Sequence, residues 1–197
     1  MNSVNDALFI WLNAPAHPGA WTVSLAAFLA SDLIWAVPLL MVAAWLRGGN
    51  HTRKAMVVAA TAGLLGLLLN QCIGLVYWHP RPFMVPIGHT LISHAPDSSF
   101  PSDHLTLWWA VALSLWSQKY FRLGAVLSLA GLPIAWARIY LGVHFPLDMA
   151  GAAIVAIASA WLSLHAATWY LTPVYLLALR IYRKLCAPLI AQGWIHR

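Results

Sequence analysis

The sequence contains no glutamate. Its acids are Asp6, Asp32, Asp97, Asp103 and Asp148, and charged residues fill only 8% of 197 positions. A soluble domain carries about 25%, so this scarcity argues against an ordinary solvated surface. There is no acidic cluster and no His-Glu-x-x-His pattern, which removes the usual frameworks for a catalytic divalent ion. No Lys or Arg precedes Arg47, so the basic start of a cleaved signal peptide is missing. Cysteines are scarce too. Cys72 lies in an apolar segment and Cys186 in a basic tail. They lack metal-site spacing and are not expected to pair, so both read as packing residues. Without an internal repeat or a low-complexity linker, residues 1–197 are expected to form one domain.

What is present is apolar. Hydrophobic residues make up 61% of the chain, and the mean hydropathy is +0.73. The net charge of +6 raises the question of nucleic acid, but the cations stand in small groups between apolar segments. That placement is a membrane-topology signal, and no nucleic-acid partner is expected.

A membrane span needs about 20 apolar residues. Five candidates follow: Trp21 to Leu46, interrupted by Asp32 and Pro38; Ala55 to Tyr77; a short one from His104 to Ser117, opened by a Ser-Asp cap signal; Leu123 to Tyr140; and Pro146 to about Tyr170. The first is long enough to be one kinked helix or two. Residues 3–13 read as an amphipathic helix at the interface, with Ser3 as its cap, so that 1–19 form an interfacial N-terminal segment. Residues 172–197 carry Arg180, Arg183 and Lys184 among apolar residues. They read as a basic cytoplasmic tail on anionic lipid, because a sixth span would bury three cations. The expected fold is an all-α integral membrane bundle of about five to six transmembrane helices, with interfacial helices at the termini.

Five spans place Arg47, Arg53, Lys54, Lys119, Arg122, Arg180, Arg183, Lys184 and Arg197 on one side. The positive-inside rule makes that side cytoplasmic. Arg81 and Arg138 fall on the other face. Intramembrane arginines pair with something anionic. A local Asp or lipid headgroups would be the structural explanation, and an anionic substrate the functional one.

Three stretches meet on that outer face: His79-Pro80-Arg81-Pro82, Pro101-Ser102-Asp103-His104, and Arg138-x5-His144-x3-Asp148. Each alone is weak, since a single His near a helix end is commonly just polar. Together they suit phosphate chemistry. Arg81 and Arg138 offer donor forks matched to phosphate oxygens. Ser102 and the adjoining N–H groups would hold an anion at a helix start. Of two histidines, one attacks phosphorus and the other protonates the leaving oxygen. Asp148, four residues after His144, would share its face if that turn is helical, and would keep one ring nitrogen protonated. A metal held by His104, His144, Asp103 and Asp148 competes with this reading, but the two arginines would oppose a cation and can supply the charge themselves. No metal and no cofactor is expected. His17, His51, His165 and His196 read as interface or loop residues. His79 is placed near the site, and His89, His94, Asp97, Ser98 and Ser99 in a loop at its rim. Trp78, Trp108, Trp109 and Trp136 fit an aromatic belt or core packing.

These residues resemble the type 2 phosphatidic acid phosphatase superfamily, whose signatures are Lys-x6-Arg-Pro, Pro-Ser-Gly-His and Ser-Arg-x5-His-x3-Asp. They stand here as Gly74-x6-Arg81-Pro82, Pro101-Ser102-Asp103-His104 and Ala137-Arg138-x5-His144-x3-Asp148. The resemblance implies a phosphohistidine at His144, oriented by Asp148, with His104 as proton donor and then water activator, and Arg81, Arg138 and Ser102 on the phosphoryl oxygens. Three departures stand out. Gly74 removes a phosphate-binding cation, and Ala137 removes a hydroxyl. Asp103 replaces a glycine at the binding turn, where its backbone N–H can still bind substrate while its carboxylate must point away from phosphate or bind something else. His79-Pro80-Arg81-Pro82-Phe83 with Ser99-Phe100-Pro101-Ser102-Asp103-His104 further resembles the bacitracin-resistance type of undecaprenyl-diphosphatase. That type implies a bacterial inner-membrane enzyme with an outward-facing site, a lipid diphosphate substrate and a role in recycling the cell-wall lipid carrier. A broader lipid phosphatase acting on phosphatidylglycerol phosphate, phosphatidate or diacylglycerol diphosphate is the alternative. A drug-immunity or transport subunit without catalysis is the reading from another class.

Overall fold

The computed structural model describes residues 3–195. His196, Arg197 and the side chain of Ser3 lie outside the described residues. The described residues are helical and contain no strand. The elements are α1 (Ser3–Leu12), α2 (Ala20–Ala27), α3 (Ala36–Arg47), α4 (Asn50–Val76), α5 (Asp103–Ser117), α6 (Phe121–Tyr140), α7 (Pro146–Leu185) and α8 (Ala187–Ala191). Four helical runs are long and apolar enough to cross a membrane: Ala20–Arg47, Asn50–Val76, Phe121–Tyr140 and Pro146–Leu185. The protein is therefore a multi-pass membrane protein. With 15 residues, α5 spans only about 22 Å at 1.5 Å per residue. It lies inside the bundle, in contact with α4, α6 and α7.

Close approach fixes that packing. A Cβ at Gly66 would meet the Thr106 methyl at 2.8 Å, and one at Gly63 would meet Leu107 at 2.6 Å. Lipid gives helices no hydrophobic reason to associate, so small residues that let backbones approach are what hold α4 on α5. On the other flank of α5, Trp108 and Trp109 donate from their indole nitrogens to the carbonyls of Leu127 and Ser128 on α6, over 2.6 and 3.0 Å. These tryptophans are packing residues.

The first apolar stretch is one continuous run with an altered middle. Between α2 and α3 the chain makes a π-helical turn, Phe28–Asp32, then a 3-10 turn, Leu33–Trp35. Asp32 sits where the helix type changes.

One expectation needs correction. The fifth helix does not stop near Tyr170 but continues into the segment read as a basic tail. Helix α7 runs for 40 residues to Leu185, through Pro173. At about 60 Å it is twice the thickness of a hydrocarbon core, about 30 Å. Its last turns therefore extend past the apolar layer, where Arg180, Arg183 and Lys184 are exposed and cost little. Helix α1 is docked on the bundle. Phe9 is fully buried with its ring 5.2 Å from that of Phe145. Asn13 donates to the carbonyls of His89 and Tyr140 and accepts from the His89 N–H. Asn5 accepts from the Leu147 N–H. These bonds tie α1 to the ends of α6 and α7 and to the loop before α5.

Candidate active site

One end of the bundle gathers the three stretches. Arg81 follows α4, Ser102 and His104 open α5, Arg138 lies in the last turn of α6, and His144 and Asp148 flank the start of α7. Arg81, Ser102, Arg138, His144 and Asp148 are all buried, each at 5% exposure or less. His104 is half-buried.

His144 is at the centre. Its Nδ1 lies 3.1 Å from Asp148 Oδ2. Its Nε2 lies 3.0 Å from Arg81 and 3.2 Å from Arg138. A guanidinium only donates, so Nε2 is the lone-pair nitrogen and Nδ1 carries the hydrogen given to Asp148. Burial is the largest influence on this ring, followed by Arg138, Arg81, His94 and His104. All hold its pKa well below the ordinary histidine value. The imidazole is thus neutral at pH 7, with an available nucleophilic lone pair.

The geometry behind this pair differs from expectation. His144 and Asp148 do not share a helical face, because α7 begins only at Pro146. Asp148 instead reaches back across the helix start. Its Oδ2 accepts from the Phe145 N–H at 2.8 Å, the backward bond of a capping box. His144, held just ahead of the helix, meets the same oxygen. Gly142, at φ +76°, turns the chain between Arg138 and His144.

The arginines are held differently. Arg81 donates to Asp97 at 2.7 Å, to the Val143 carbonyl at 3.0 Å and to the Ser98 carbonyl at 3.2 Å. It therefore does have a local acid, as the structural explanation required. Arg138 donates to the Ala30 carbonyl at 2.9 Å and to His94 at 3.2 Å. That carbonyl sits in the π-helical turn, so the widened first helix supports Arg138. Two buried polar atoms here, Arg138 Nε and Ser102 Oγ, have no hydrogen-bond partner. Ser102 does not use its hydroxyl as a helix cap. Both atoms suit an added anion.

Asp103 is directed into the bundle. Asn70 donates to its Oδ1 at 2.8 Å and Gln71 to its Oδ2 at 3.3 Å. The carboxylate is thus committed to α4. Gly74 packs by its backbone against Ser98, where a Cβ would lie 3.4 Å away.

Three residues that the sequence placed at the rim without a role take part in the site. His94 bonds Arg138 and is pushed below the ordinary histidine value, mainly by burial. Asp97 pairs with Arg81. Ser99, fully buried, donates to Asp148 Oδ2. No periodicity or spacing marks these loop positions. The signals available were their closeness in the chain to Ser102 and His104 and, for Ser99, its place in the Ser99-Phe100-Pro101-Ser102-Asp103-His104 stretch. His79 lies beside the site. It helps wall a cavity of ≈ 480 Å3 together with Tyr77, Phe100, Phe145, Leu147 and Asp148.

This order of residues, joined by helices at this spacing, matches a family description. The model of the PAP2 superfamily matches residues 54–171, which hold every one of these side chains. The chain belongs to the PAP2 superfamily. Among relatives of this PAP2 protein, YbjG of Escherichia coli is 40% identical over 77% of this chain and 76% of that protein. Undecaprenyl-diphosphatase BcrC of Bacillus subtilis is 35% identical over 92% of this chain and 93% of that protein. The crystal structure of Aquifex aeolicus LpxE is similar in fold, with a TM-score of 0.64 at 24% identity, over 82% of this chain and 95% of that one.

Proposed function

We propose that this PAP2 protein hydrolyses undecaprenyl diphosphate to undecaprenyl phosphate and inorganic phosphate through a phosphohistidine. One observation carries the reading: His144 Nε2 is an unprotonated nitrogen facing two buried arginines, with Nδ1 fixed by Asp148. The likeness to the B. subtilis undecaprenyl-diphosphatase over nearly the whole chain supports the choice of substrate.

On binding, the terminal phosphoryl oxygens take donors from Arg81, Arg138 and Ser102, and phosphorus comes to rest over Nε2. Nε2 then forms a bond to phosphorus as the bridging P–O bond breaks. His104 gives its proton to the departing lipid phosphate. The phosphorylated ring carries positive charge, which Asp148 balances through Nδ1. A water molecule then loses a proton to His104 and attacks phosphorus. The P–N bond breaks, and phosphate leaves with the ring neutral again. The arginines stabilise the charge on the transferring group throughout, so no metal is required.

The site is assigned to the outer face of a bacterial inner membrane. The cations at the α3–α4 and α5–α6 turns and at the end of α7 lie at the opposite end of the helices, which favours a cytoplasmic location for that end.

The deciding experiment compares turnover by the purified protein on a polyprenyl diphosphate and on phosphatidylglycerol phosphate. Preference for the polyprenyl substrate is expected, and preference for the glycerolipid would replace this reading with the broader lipid phosphatase. His144→Ala is expected to abolish phosphate release. Drug resistance without any hydrolysis by the parent protein would point to a transport role.

A further inference from the structure

Ser99 lies in the segment between α4 and α5, three residues ahead of Ser102, and is fully buried. Its hydroxyl donates to Asp148 Oδ2 and sits 3.4 Å from His144 Nδ1. Its own N–H donates to the His79 carbonyl at 2.8 Å. The neighbouring Ser98 accepts from the His79 N–H and, through its carbonyl, from Arg81. Residues 98–99 therefore strap the Arg81 segment to the carboxylate behind the nucleophile.

Asp148 Oδ2 collects its donors from three sources: the Phe145 N–H, His144 Nδ1 and the Ser99 hydroxyl. The first belongs to the backbone of the residue just ahead of α7 and holds the oxygen at the helix start. The second belongs to the ring that reacts. Ser99 anchors the same oxygen from a different segment, the one between α4 and α5. From that side it limits rotation of the carboxylate away from the imidazole. Asp148 must face Nδ1 most closely when Nε2 is bonded to phosphorus and the ring is cationic, so a fixed carboxylate acts on the reaction more than on binding.

We propose that Ser99 is a positioning residue of the phosphatase reaction, holding Asp148 against His144 as the phosphohistidine forms and breaks down. The proposal rests on His144 being the nucleophile, as argued above. A hydroxyl that merely satisfied a buried carboxylate would affect the folded fraction and leave the turnover of folded protein unchanged. A positioning hydroxyl lowers kcat, leaves KM in place and acts through Asp148.

The test uses the purified full-length protein with a polyprenyl diphosphate and acid-free trapping of the phosphoprotein. Ser99→Ala is expected to lower kcat by about ten- to a hundredfold, the loss typical of one hydrogen bond to a charged group. KM should stay within about twofold, and phosphohistidine formation should slow in step with kcat. Ser99→Thr keeps the hydroxyl and is expected to restore most of the rate. In an Asp148→Asn background, adding Ser99→Ala should cost little more, because both changes remove one interaction. If Ser99→Ala fails to fold, Ser99→Cys, with a weaker donor, is expected to fall between the parent and Ser99→Thr on one side and complete loss on the other. Parent-like kcat in a folded Ser99→Ala or Ser99→Cys protein, or an undiminished effect in the Asp148→Asn background, overturns the proposal. Turnover retained by His144→Ala would instead overturn the nucleophile assignment beneath it.

Discussion

Asn70 donates to the carboxylate of Asp103 across 2.8 Å, so the acid that replaces a signature glycine is spent on helix packing. The same amide lies 3.1 Å from the Thr106 hydroxyl, one turn along α5 and next to the close contact at Gly66. This polar link sets the first turn of α5, from which His104 projects. A negative charge beside two phosphate-binding arginines would repel substrate if it were free. Bound to two amides on α4, it acts as a latch.

Asp103→Ala is therefore expected to lower stability by about 1–3 kcal/mol, the cost of leaving a buried donor unpaired, and turnover by less than about tenfold. Asp103→Asn, which keeps one acceptor for Asn70, should lose less stability. Thermal unfolding in detergent, read beside kcat, checks both. A hundredfold loss of kcat at full stability would mean that Asp103 touches the substrate.

The arginines should not tolerate lysine. Arg81 makes four contacts from three nitrogens, and Arg138 bridges Ala30, His94 and His144. A lysine keeps the charge but loses the planar fork. Arg81→Lys and Arg138→Lys are each expected to lower kcat/KM by about 10²–10³, the range for losing a donor that stabilises transition-state charge. Losses within about threefold would show that net charge alone is what the site needs.

Much of this was legible in the chain because membranes simplify the code. Apolar runs had to be helices, and the cations declared two ends, so Arg81 and Arg138 could be seen to share a face. What stayed hidden depends on long-range geometry. Cations in the last turns of α7 read as ending the span, yet a helix leaving the apolar layer carries them at no cost. The Ala30 carbonyl reaches Arg138 from within a π-helical turn, which composition does not announce. Ser99, His94 and Asp97 act through loop folding, which has no period. His144 and Asp148 lie in contact, but their bond crosses the start of α7 instead of running along a helical face, which spacing alone does not tell apart.

The pH profile should lack a His144 step near the ordinary histidine value, about 6.5. Burial, Arg138 and Arg81 hold this ring's pKa far lower, so the nucleophile stays unprotonated from pH 8 down through about 6. Phosphohistidine formation, measured by quenched single turnovers, is then expected to show no loss as pH falls from about 8 to 6, since the nucleophile stays unprotonated and the proton donor His104 only gains protons. The sign for stability runs the same way. The unfolded ring takes up a proton below about 6.5 while the folded ring does not, so stability is present above that value and falls as pH drops below it. A titration of phosphohistidine formation centred near 6.5 and tracking His144 would contradict the burial argument.

Chelation should leave the activity intact. Phosphate charge is met by Arg81, Arg138 and Ser102, and the one carboxylate closest to His144 is already occupied by Ser99, Phe145 and His144 itself. Turnover in excess EDTA is expected to match that in buffer. Complete loss, restored by Mg2+ or Zn2+, would require a cation at this site and a different account of the arginines.

Sidedness can be read from two single cysteines. Cys72 is exposed and Cys186 partly so, hence both are first replaced by serine. Thr90 lies exposed in the loop at the site end, and Ser117 exposed at the opposite end of α5. Thr90→Cys should react with a membrane-impermeant maleimide on intact cells stripped of their outer barrier, and Ser117→Cys only after lysis. The reverse pattern would turn the site toward the cytoplasm. It would also mean that the basic residues at the α3–α4 and α5–α6 turns and in the last turns of α7 face outward, against the charge bias from which the orientation was argued.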